Sequence, residues 1–191
     1  MTNFQTRLTR DLEPILKMAD PREKIGAYHD MPYAIFQYDP SQELALRAAV
    51  TGLQTRLDLA GKRVVRISLA DCLTDALQSE SGLSDWFVLE KRFGVEKTIE
   101  DVHALLAERK PLVDLVASRM PPDPDPKRDV AFIVRTGALF PVYRTFSLLE
   151  QLKGRVEVPT ILFYPGDLDG AAGLRFMGVL DAEHNYRPKI F

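Results

Sequence analysis

Few residues in this sequence have the type and spacing that catalysis or metal binding requires. The three histidines, His29, His103 and His184, stand far apart, and none has a second histidine or a cysteine at metal-ligand spacing. The single cysteine, Cys72, has no histidine near it in the chain, so we interpret it as a buried structural thiol rather than a nucleophile. The sequence therefore predicts no metal site and no catalytic nucleophile.

Two carboxylates in a Gly-rich stretch are the next candidates. Asp167 and Asp169 lie within residues 165–170 (PGDLDG), where they could bind a cation or simply form a tight turn. We favour the turn, because short polar side chains next to glycine are the usual residues of turns. A hydrolase that uses Asp167, Asp169 and His184 is the weakest of the functional hypotheses that the sequence allows.

The glycines of the chain do not form a recognised phosphate-binding loop. A Walker loop ends in Gly-Lys-Ser/Thr, but the one Gly-Lys pair, Gly61-Lys62, is followed by Arg63 at the end of a predicted helix. The dinucleotide-binding pattern G-x-G-x-x-G is absent as well. The sequence therefore argues against nucleotide hydrolysis, and no cofactor is expected.

Residues 135–141 (RTGALFP) form a more promising segment, because they connect a predicted strand to a predicted helix. The carboxyl edge of a parallel sheet is where ligands bind, and helix N-termini attract anions, with Arg135 and Arg144 close by. An ordinary turn, in which the glycine supplies a special backbone angle and the arginines pair with carboxylates, explains the segment equally well. Leu139 and Phe140 would also suit a buried contact with a protein partner.

Apolar runs predict the strands that would position these residues. The predicted strands cover residues 33–38, 63–69, 129–134 and 158–164, with a short fifth strand over residues 173–178. The run 129–134 (DVAFIV) is apolar almost throughout, which is typical of a strand buried on both faces. Strands that alternate with helices predict a mostly parallel sheet of four to five strands flanked by helices, in a single α/β domain over residues 1–191.

Helical spacing of apolar residues predicts the helices around this sheet. An N-terminal helix is expected within residues 1–20 and a helical insert over residues 70–120. Asp39-Pro40 is a typical helix start, Gly61 is a typical helix end, and Pro141 is expected to begin the helix after the third strand. The proline-rich residues 121–126 are a stiff connector that returns the chain to the sheet.

The composition of the 191 residues restricts the class of protein. Hydrophobic residues make up 46% and charged residues 27%, as in an ordinary globular protein. The net charge of −2 argues against autonomous binding to DNA phosphates, which usually requires a basic protein. One cysteine, no signal-peptide pattern and no apolar run of about 20 residues predict a cytoplasmic protein without a membrane span.

Four stretches of the chain resemble a known family. They are residues 31–36 (MPYAIF), 135–166 (RTGALFPVYRTFSLLEQLKGRVEVPTILFYPG), 173–178 (GLRFMG) and 184–191 (HNYRPKIF). Together they are similar to the BrxB family, a core component of the BREX bacteriophage-exclusion systems of bacteria and archaea. The resemblance extends over nearly the whole chain and is most specific in residues 129–191, whereas the helical middle is generic.

The resemblance implies a role in phage defence beside a methyltransferase, a large ATPase and a PglZ-type phosphatase-like protein. No catalytic activity is attached to the family, so the expected function is a non-catalytic adaptor that docks onto a larger BREX subunit. The PglZ-type protein is the preferred partner, and DNA is contacted only as part of the complex. The alternative is a nucleic-acid- or nucleotide-binding subunit whose basic sheet edge comprises Arg135, Arg144, Arg175, Arg187 and Lys189.

Candidate contact residues come from three pieces of the chain, namely the loop after the third strand, the Gly-rich stretch with the strand after it, and the tail. The tail ends in aromatic and basic residues, which either dock onto another protein or fold back onto the core. The candidates for partner or ligand binding are Arg135, Thr136, Gly137, Leu139, Phe140, Arg144, Gly166, Asp169, Arg175, His184, Asn185, Tyr186 and Arg187.

Overall fold

A sheet of six strands lies at the centre of the computed structural model, which describes residues 3–26, 32–170, 173–183 and 188–191. The strands are β1 (Tyr33–Tyr38), β2 (Arg63–Ser68), β3 (Asp129–Val134), β4 (Thr160–Asp169), β5 (Gly173–Phe176) and β6 (Lys189–Ile190). Five of them run parallel in the order β2-β3-β4-β1-β6, and β5 pairs antiparallel with the last residues of β4. The predicted parallel sheet is confirmed, with one strand more than the four to five expected.

One face of the sheet is covered by the N-terminal helical segment and one long helix. The helical elements on this face are α1 (Phe4–Arg7), a π-helical turn (Leu8–Leu12), α2 (Glu13–Leu16), α3 (Arg22–Ile25) and α4 (Glu43–Leu59). Alternate residues of the central strands face them, because side chains of a strand point to opposite faces in turn. Phe36, Phe132 and Phe163 form an aromatic group there, with neighbouring ring centroids 5.4 and 5.6 Å apart. Residues 4–16 are helical, within the stretch where the sequence predicts an N-terminal helix.

The other face carries the helices of the predicted insert and the helix that follows β3. They are α5 (Leu69–Glu80), α6 (Leu83–Phe93), α7 (Val95–Ala104), a π-helical turn (Leu105–Arg109), α8 (Leu112–Ala117) and, after β3, α9 (Thr145–Leu152). Helices α5 to α8 connect the neighbouring strands β2 and β3, and they pack against Ile35, Ile67 and Ile133 of the sheet. The helical middle is therefore a crossover connection that covers the sheet, and the chain forms one α/β domain.

Capping residues at both ends of α4 behave as predicted. The Asp39 carboxylate accepts a hydrogen bond from the Ser41 amide (2.8 Å), in the short 3₁₀ turn that precedes the helix. At the other end Gly61 has a φ of 83°, and the Lys62 amide donates to the Leu57 carbonyl oxygen (3.0 Å). Local sequence signals therefore set the bounds of this connection between β1 and β2.

The connection from β3 to α9 differs from the prediction. Helix α9 begins at Thr145 and not at Pro141, because a 3₁₀ turn follows β3 instead. The last residue of this 3₁₀ turn, Leu139, is fully buried, and its carbonyl oxygen accepts a hydrogen bond from the Tyr143 amide (2.9 Å). Burial of Leu139 and Tyr143 in the core outweighs the local preference of proline for the start of a helix.

The prediction of a turn over residues 165–170 is wrong. Strand β4 continues through this stretch to Asp169, and the chain turns at Gly170, which has a φ of 66°. Gly166 pairs with Phe176 and Asp169 pairs with Gly173 of β5. Because β5 offers hydrogen-bond partners to the backbone, the Gly-rich stretch forms a strand rather than a turn.

The described part of the tail folds back onto the sheet. Strand β6 pairs with β1, and the Phe191 amide donates to the Ile35 carbonyl oxygen (2.8 Å). The Gln37 amide in turn donates to the Phe191 carbonyl oxygen (3.1 Å). Of the two alternatives for the tail, folding back therefore holds for residues 188–191.

Candidate functional site

Two adjoining cavities open at the carboxyl edge of the parallel strands. The first, of about 250 Å³, lies over the ends of β2 and β3, and the second, of about 230 Å³, lies beside Pro165 of β4. Glu43 and Arg47 from the start of α4 and Arg135 from the loop after β3 border both cavities. We call the two cavities together the edge crevice. It occupies the position where open parallel sheets bind their ligands.

Arg135 is the first residue after β3 and lies at the rim of the edge crevice. Its backbone is left-handed, with a φ of 57°, which costs a non-glycine residue about 1 kcal/mol. Its Nη1 atom lies 3.3 Å from Oδ1 of Asp71, and its side chain is 43% exposed. Such a loose, solvated ion pair contributes little stability, so the guanidinium remains able to bind another anion.

The other predicted residues of this loop support it from inside. Leu139 is fully buried, and Phe140 is half-buried with its ring centroid 6.2 Å from that of Phe176. Thr136 is also buried, and its hydroxyl has no hydrogen-bond partner within the part of the chain that the structure describes. A side chain at Gly137 would crowd a methionine that follows β5. The two apolar residues that were expected to contact a partner therefore pack into this chain's own core.

The sequence patterns did not reveal three charged residues of the edge crevice, Glu43, Arg47 and Arg66. Glu43 accepts hydrogen bonds from Nε of Arg47 (2.8 Å) and from the Tyr38 hydroxyl, and burial together with this second bond raises the pKa of Tyr38. Arg66 of β2 donates to Oγ1 of Thr51 (3.2 Å) and has no carboxylate partner among the described residues. The one signal in the sequence is an arginine in the middle of an otherwise apolar run (VVRIS).

Gly166, Asp169 and Arg175 lie together on the hairpin formed by β4 and β5. Nη2 of Arg175 is 3.9 Å from Oδ1 of Asp169, at the limit of an ion pair. A Cβ atom at Gly166 would collide with the Arg175 carbonyl oxygen and the Tyr164 ring, so packing requires glycine here. Asp167 and Asp169 belong to no group of three or more metal-binding side chains within the described residues.

Cys72 and His103 occupy structural positions. Cys72 is fully buried, and burial raises the pKa of its thiol, which disfavours the thiolate that a nucleophile would need. Nδ1 of His103 lies 2.9 Å from the Val142 carbonyl oxygen, and its ring centroid is 5.8 Å from that of Tyr143. Both contacts of His103 join α7 to the segment before α9. Neither Cys72 nor His103 lines the edge crevice.

The basic residues that were expected on one edge are divided among different parts of the fold. Arg135 follows β3, whereas Lys189 belongs to β6, three strands or about 14 Å further across the sheet. Nη1 of Arg144 lies 3.4 Å from Oε1 of Glu183 and takes no part in the edge crevice. The remaining predicted site residues, His184, Asn185, Tyr186 and Arg187, lie outside the described residues.

Four large apolar side chains are exposed on the helical hairpin formed by α6 and α7. The exposed fractions are 62% for Phe87, 61% for Val88, 54% for Phe93 and 59% for Val95. Trp86 and Leu89 of α6 and Val102 of α7 pack into the core, so the four exposed side chains are not the ones that hold the hairpin on the rest of the fold. We call them the hairpin surface. Helical periodicity predicts the buried side of such a helix, but it does not predict apolar residues on the outer side.

Comparison with known sequences places the chain in a family. A family model described as BREX protein BrxB matches residues 65–190. The chain belongs to the BrxB family. The BrxB match begins in β2 and includes the crossover α5–α8 with the hairpin surface as well as the loop after β3.

A relative supports the same assignment along the full chain. A BREX protein BrxB of Bacillus cereus (strain H3081.97) is 26% identical over 189 residues, which cover 95% of each chain. No solved structure matches the chain significantly. The resemblance to the BrxB family of BREX phage-defence systems is therefore confirmed. Within the described residues, no helix has both the length and the apolar character needed to cross a bilayer.

Proposed function

We propose that the protein is a non-catalytic assembly subunit of a BREX complex and that it docks onto a larger BREX subunit through the hairpin surface. The observation that carries this proposal is the exposure of four large apolar side chains on two consecutive helices. Large apolar side chains concentrated on one exposed hairpin are candidates for a site of protein interaction. Family membership supports a partner from the same defence system.

Burial of the hairpin surface against a partner is the expected source of binding energy. Apolar area removed from water contributes about 25 cal/mol per Å², and the centres of interfaces are enriched in aromatic residues and arginine. Phe93 lies beneath the guanidinium of Arg92, with 5.1 Å between Cζ and the ring centroid. An aromatic ring and an arginine at one position form the kind of pair that dominates binding energy at interfaces.

The PglZ-type subunit is the preferred partner among the BREX proteins. This preference rests on the association of the two proteins within BREX systems, which the resemblance to the family implies. The proposal places the complex in the cytoplasm, and contact with DNA is expected only through the assembled complex. The name of the Bacillus cereus relative, BREX protein BrxB, supports a BREX partner in general.

Co-purification with individual BREX subunits tests the proposal. The tagged protein is co-expressed with each subunit in turn, and we expect it to retain the PglZ-type protein. Phe87→Asp should abolish this retention, because docking would bury a carboxylate without a partner. The fold should tolerate the change, since the Phe87 side chain is already mostly exposed.

A matched control is available on another helix. Leu59, at the end of α4, is 85% exposed and lies outside the hairpin surface, so Leu59→Asp should leave co-purification unchanged. Both variants should keep the thermal unfolding midpoint of the wild type. Retention of the partner by Phe87→Asp, or failure of the wild type to retain any BREX subunit, would show that the proposal is wrong.

A further inference from the structure

The edge crevice combines an apolar floor with a basic rim. Leu46, Val50 and Phe163 line the first cavity and are buried almost completely. The second cavity continues between Pro40, which follows β1, and Pro165 within β4. An apolar floor with a few polar groups at fixed positions is the usual composition of a small-molecule site.

The rim of the edge crevice carries more positive than negative charge. Arg47 pairs with Glu43 at 2.8 Å and Arg135 pairs with Asp71 at 3.3 Å. Within the described residues Arg66 bonds only to a threonine hydroxyl (3.2 Å), so its charge has no carboxylate to balance it. Three guanidinium groups therefore face two carboxylates, which leaves a place for one anionic group between the strand ends.

We propose that the edge crevice binds a nucleoside phosphate. Its phosphate group is held by Arg66 and Arg135, and its base lies in the cavity between Pro40 and Pro165. Arginine binds phosphate through two parallel hydrogen bonds, which explains how the site functions without a Gly-rich phosphate loop. Arg135 exchanges its loose contact with Asp71 for the phosphate, and Arg66 gains the anion that it lacks.

The size and the charge of the edge crevice favour a nucleoside phosphate over other phosphates. Each cavity alone exceeds the volume of a single phosphate group, and the apolar second cavity has no function for an inorganic anion. A nucleic-acid strand would need a continuous basic track along its backbone. Arg144 and Lys189 do not line the crevice, so no such track leads away from it among the described residues.

Binding of AMP and ATP, measured by calorimetry and by thermal shift, tests this inference. Pyrophosphate, adenosine and a 5′-phosphorylated single-stranded oligonucleotide serve as comparison ligands. We expect AMP or ATP to bind more tightly than all three. Arg66→Met and Arg135→Asn should each weaken that binding by about tenfold, as expected for loss of one charge-assisted phosphate contact.

The variants are chosen so that they leave the fold intact. Methionine keeps the long apolar stem of Arg66, and asparagine tolerates the left-handed backbone of Arg135. Arg144→Met is the matched control, because Arg144 is an exposed, ion-paired arginine outside the edge crevice. It should bind nucleotide as tightly as the wild type does.

Three results would overturn the inference. They are the absence of saturable AMP and ATP binding up to about 1 mM, unchanged affinity in both crevice variants, and tighter binding of pyrophosphate, adenosine or the oligonucleotide than of either nucleotide. The inference is independent of docking through the hairpin surface. Phe87→Asp should bind nucleotide normally, and Arg66→Met should still retain the PglZ-type protein, so the two proposals fail separately.

Discussion

Asp129 is a carboxylate that lies fully buried at the start of β3, where Arg63 of the neighbouring strand β2 neutralises it. Nε and Nη2 of Arg63 each lie 2.6 Å from a carboxylate oxygen, and the Asp125 amide donates to Oδ2 (3.0 Å). These contacts, above all the hydrogen bonds from Arg63, lower the pKa of Asp129. The pair fastens β2 to β3 at their amino ends, opposite the edge crevice.

Arg63→Met should therefore lower the free energy of unfolding at neutral pH, because it leaves the buried Asp129 carboxylate without its cation. A carboxyl group whose pKa is lowered by folding stabilises the fold above its unfolded pKa of about 3.9 and loses that contribution as the pH falls through the folded value. The difference between wild type and variant should accordingly shrink below about pH 4. Urea unfolding over a series of pH values measures it.

The control for this prediction is an exposed ion pair on α7. Nζ of Lys97 lies 2.8 Å from Oδ1 of Asp101, and both side chains are at least 40% exposed. Lys97→Met should leave the free energy of unfolding nearly unchanged, because an exposed ion pair contributes little stability. A loss of stability in Arg63→Met that does not depend on pH would contradict the assigned role of the Asp129 charge.

Phe140 tests whether the loop after β3 is contact surface or core. Phe140→Ala should lower the free energy of unfolding by about 2 kcal/mol, because it removes a half-buried ring from contact with Phe176. Phe87→Ala, the same change at an exposed position, should cost less than about 0.5 kcal/mol. Co-purification should show the reverse: Phe140→Ala should retain the partner, and Phe87→Ala should bind it more weakly. A Phe140→Ala variant that is as stable as the wild type but no longer binds the partner would show that the loop after β3 is part of the interface.

At the level of elements, the sequence predicts those whose signals are local. Strands β1 and β3 have their predicted bounds, because a short, mostly apolar run is typical of a strand that is buried on both faces of a covered sheet. The start of α9 was predicted wrongly, because the preference of Pro141 is local whereas the burial of Leu139 is decided by the rest of the fold. Strand β6 is too short for its sequence to indicate a strand without its partner β1.

The prediction of the edge crevice from the sequence has the same limit, because only its local signals can be recognised. Arg135 was predicted because it follows a strand and precedes a helix, which is a local signal. Arg47 and Arg66 come from elements that meet only because α4 passes over β4 and β3 on its way from β1 to β2. Strand order decides which strand ends are neighbours, and the spacing of residues along the chain does not contain that information.

At the scale of the whole molecule, the first helix, β1 and the tail meet at one side chain. Nη2 of Arg7 donates to the Gln37 carbonyl oxygen (2.8 Å), and Nη1 donates to the Phe191 carbonyl oxygen (3.0 Å). The guanidinium also lies over the Phe36 ring, with 5.2 Å from Cζ to the ring centroid. Partial burial of the guanidinium lowers the pKa of Arg7. Arg7 thus joins segments that are distant in the sequence.

Arg7→Ala should lower the free energy of unfolding by about 2 kcal/mol, because the Gln37 carbonyl oxygen loses its bond from Arg7 and the Phe191 carbonyl oxygen keeps only the Gln37 amide. It should also release β6 before the rest of the sheet, so hydrogen exchange at the Gln37 and Phe191 amides should accelerate more than exchange in β3. Arg10→Ala, at an exposed position of the same helical segment, is the control and should leave exchange unchanged. Hydrogen–deuterium exchange with mass spectrometry gives the comparison. Equal acceleration in β3 and β6 would mean that Arg7 stabilises the fold as a whole and does not hold the tail on β1.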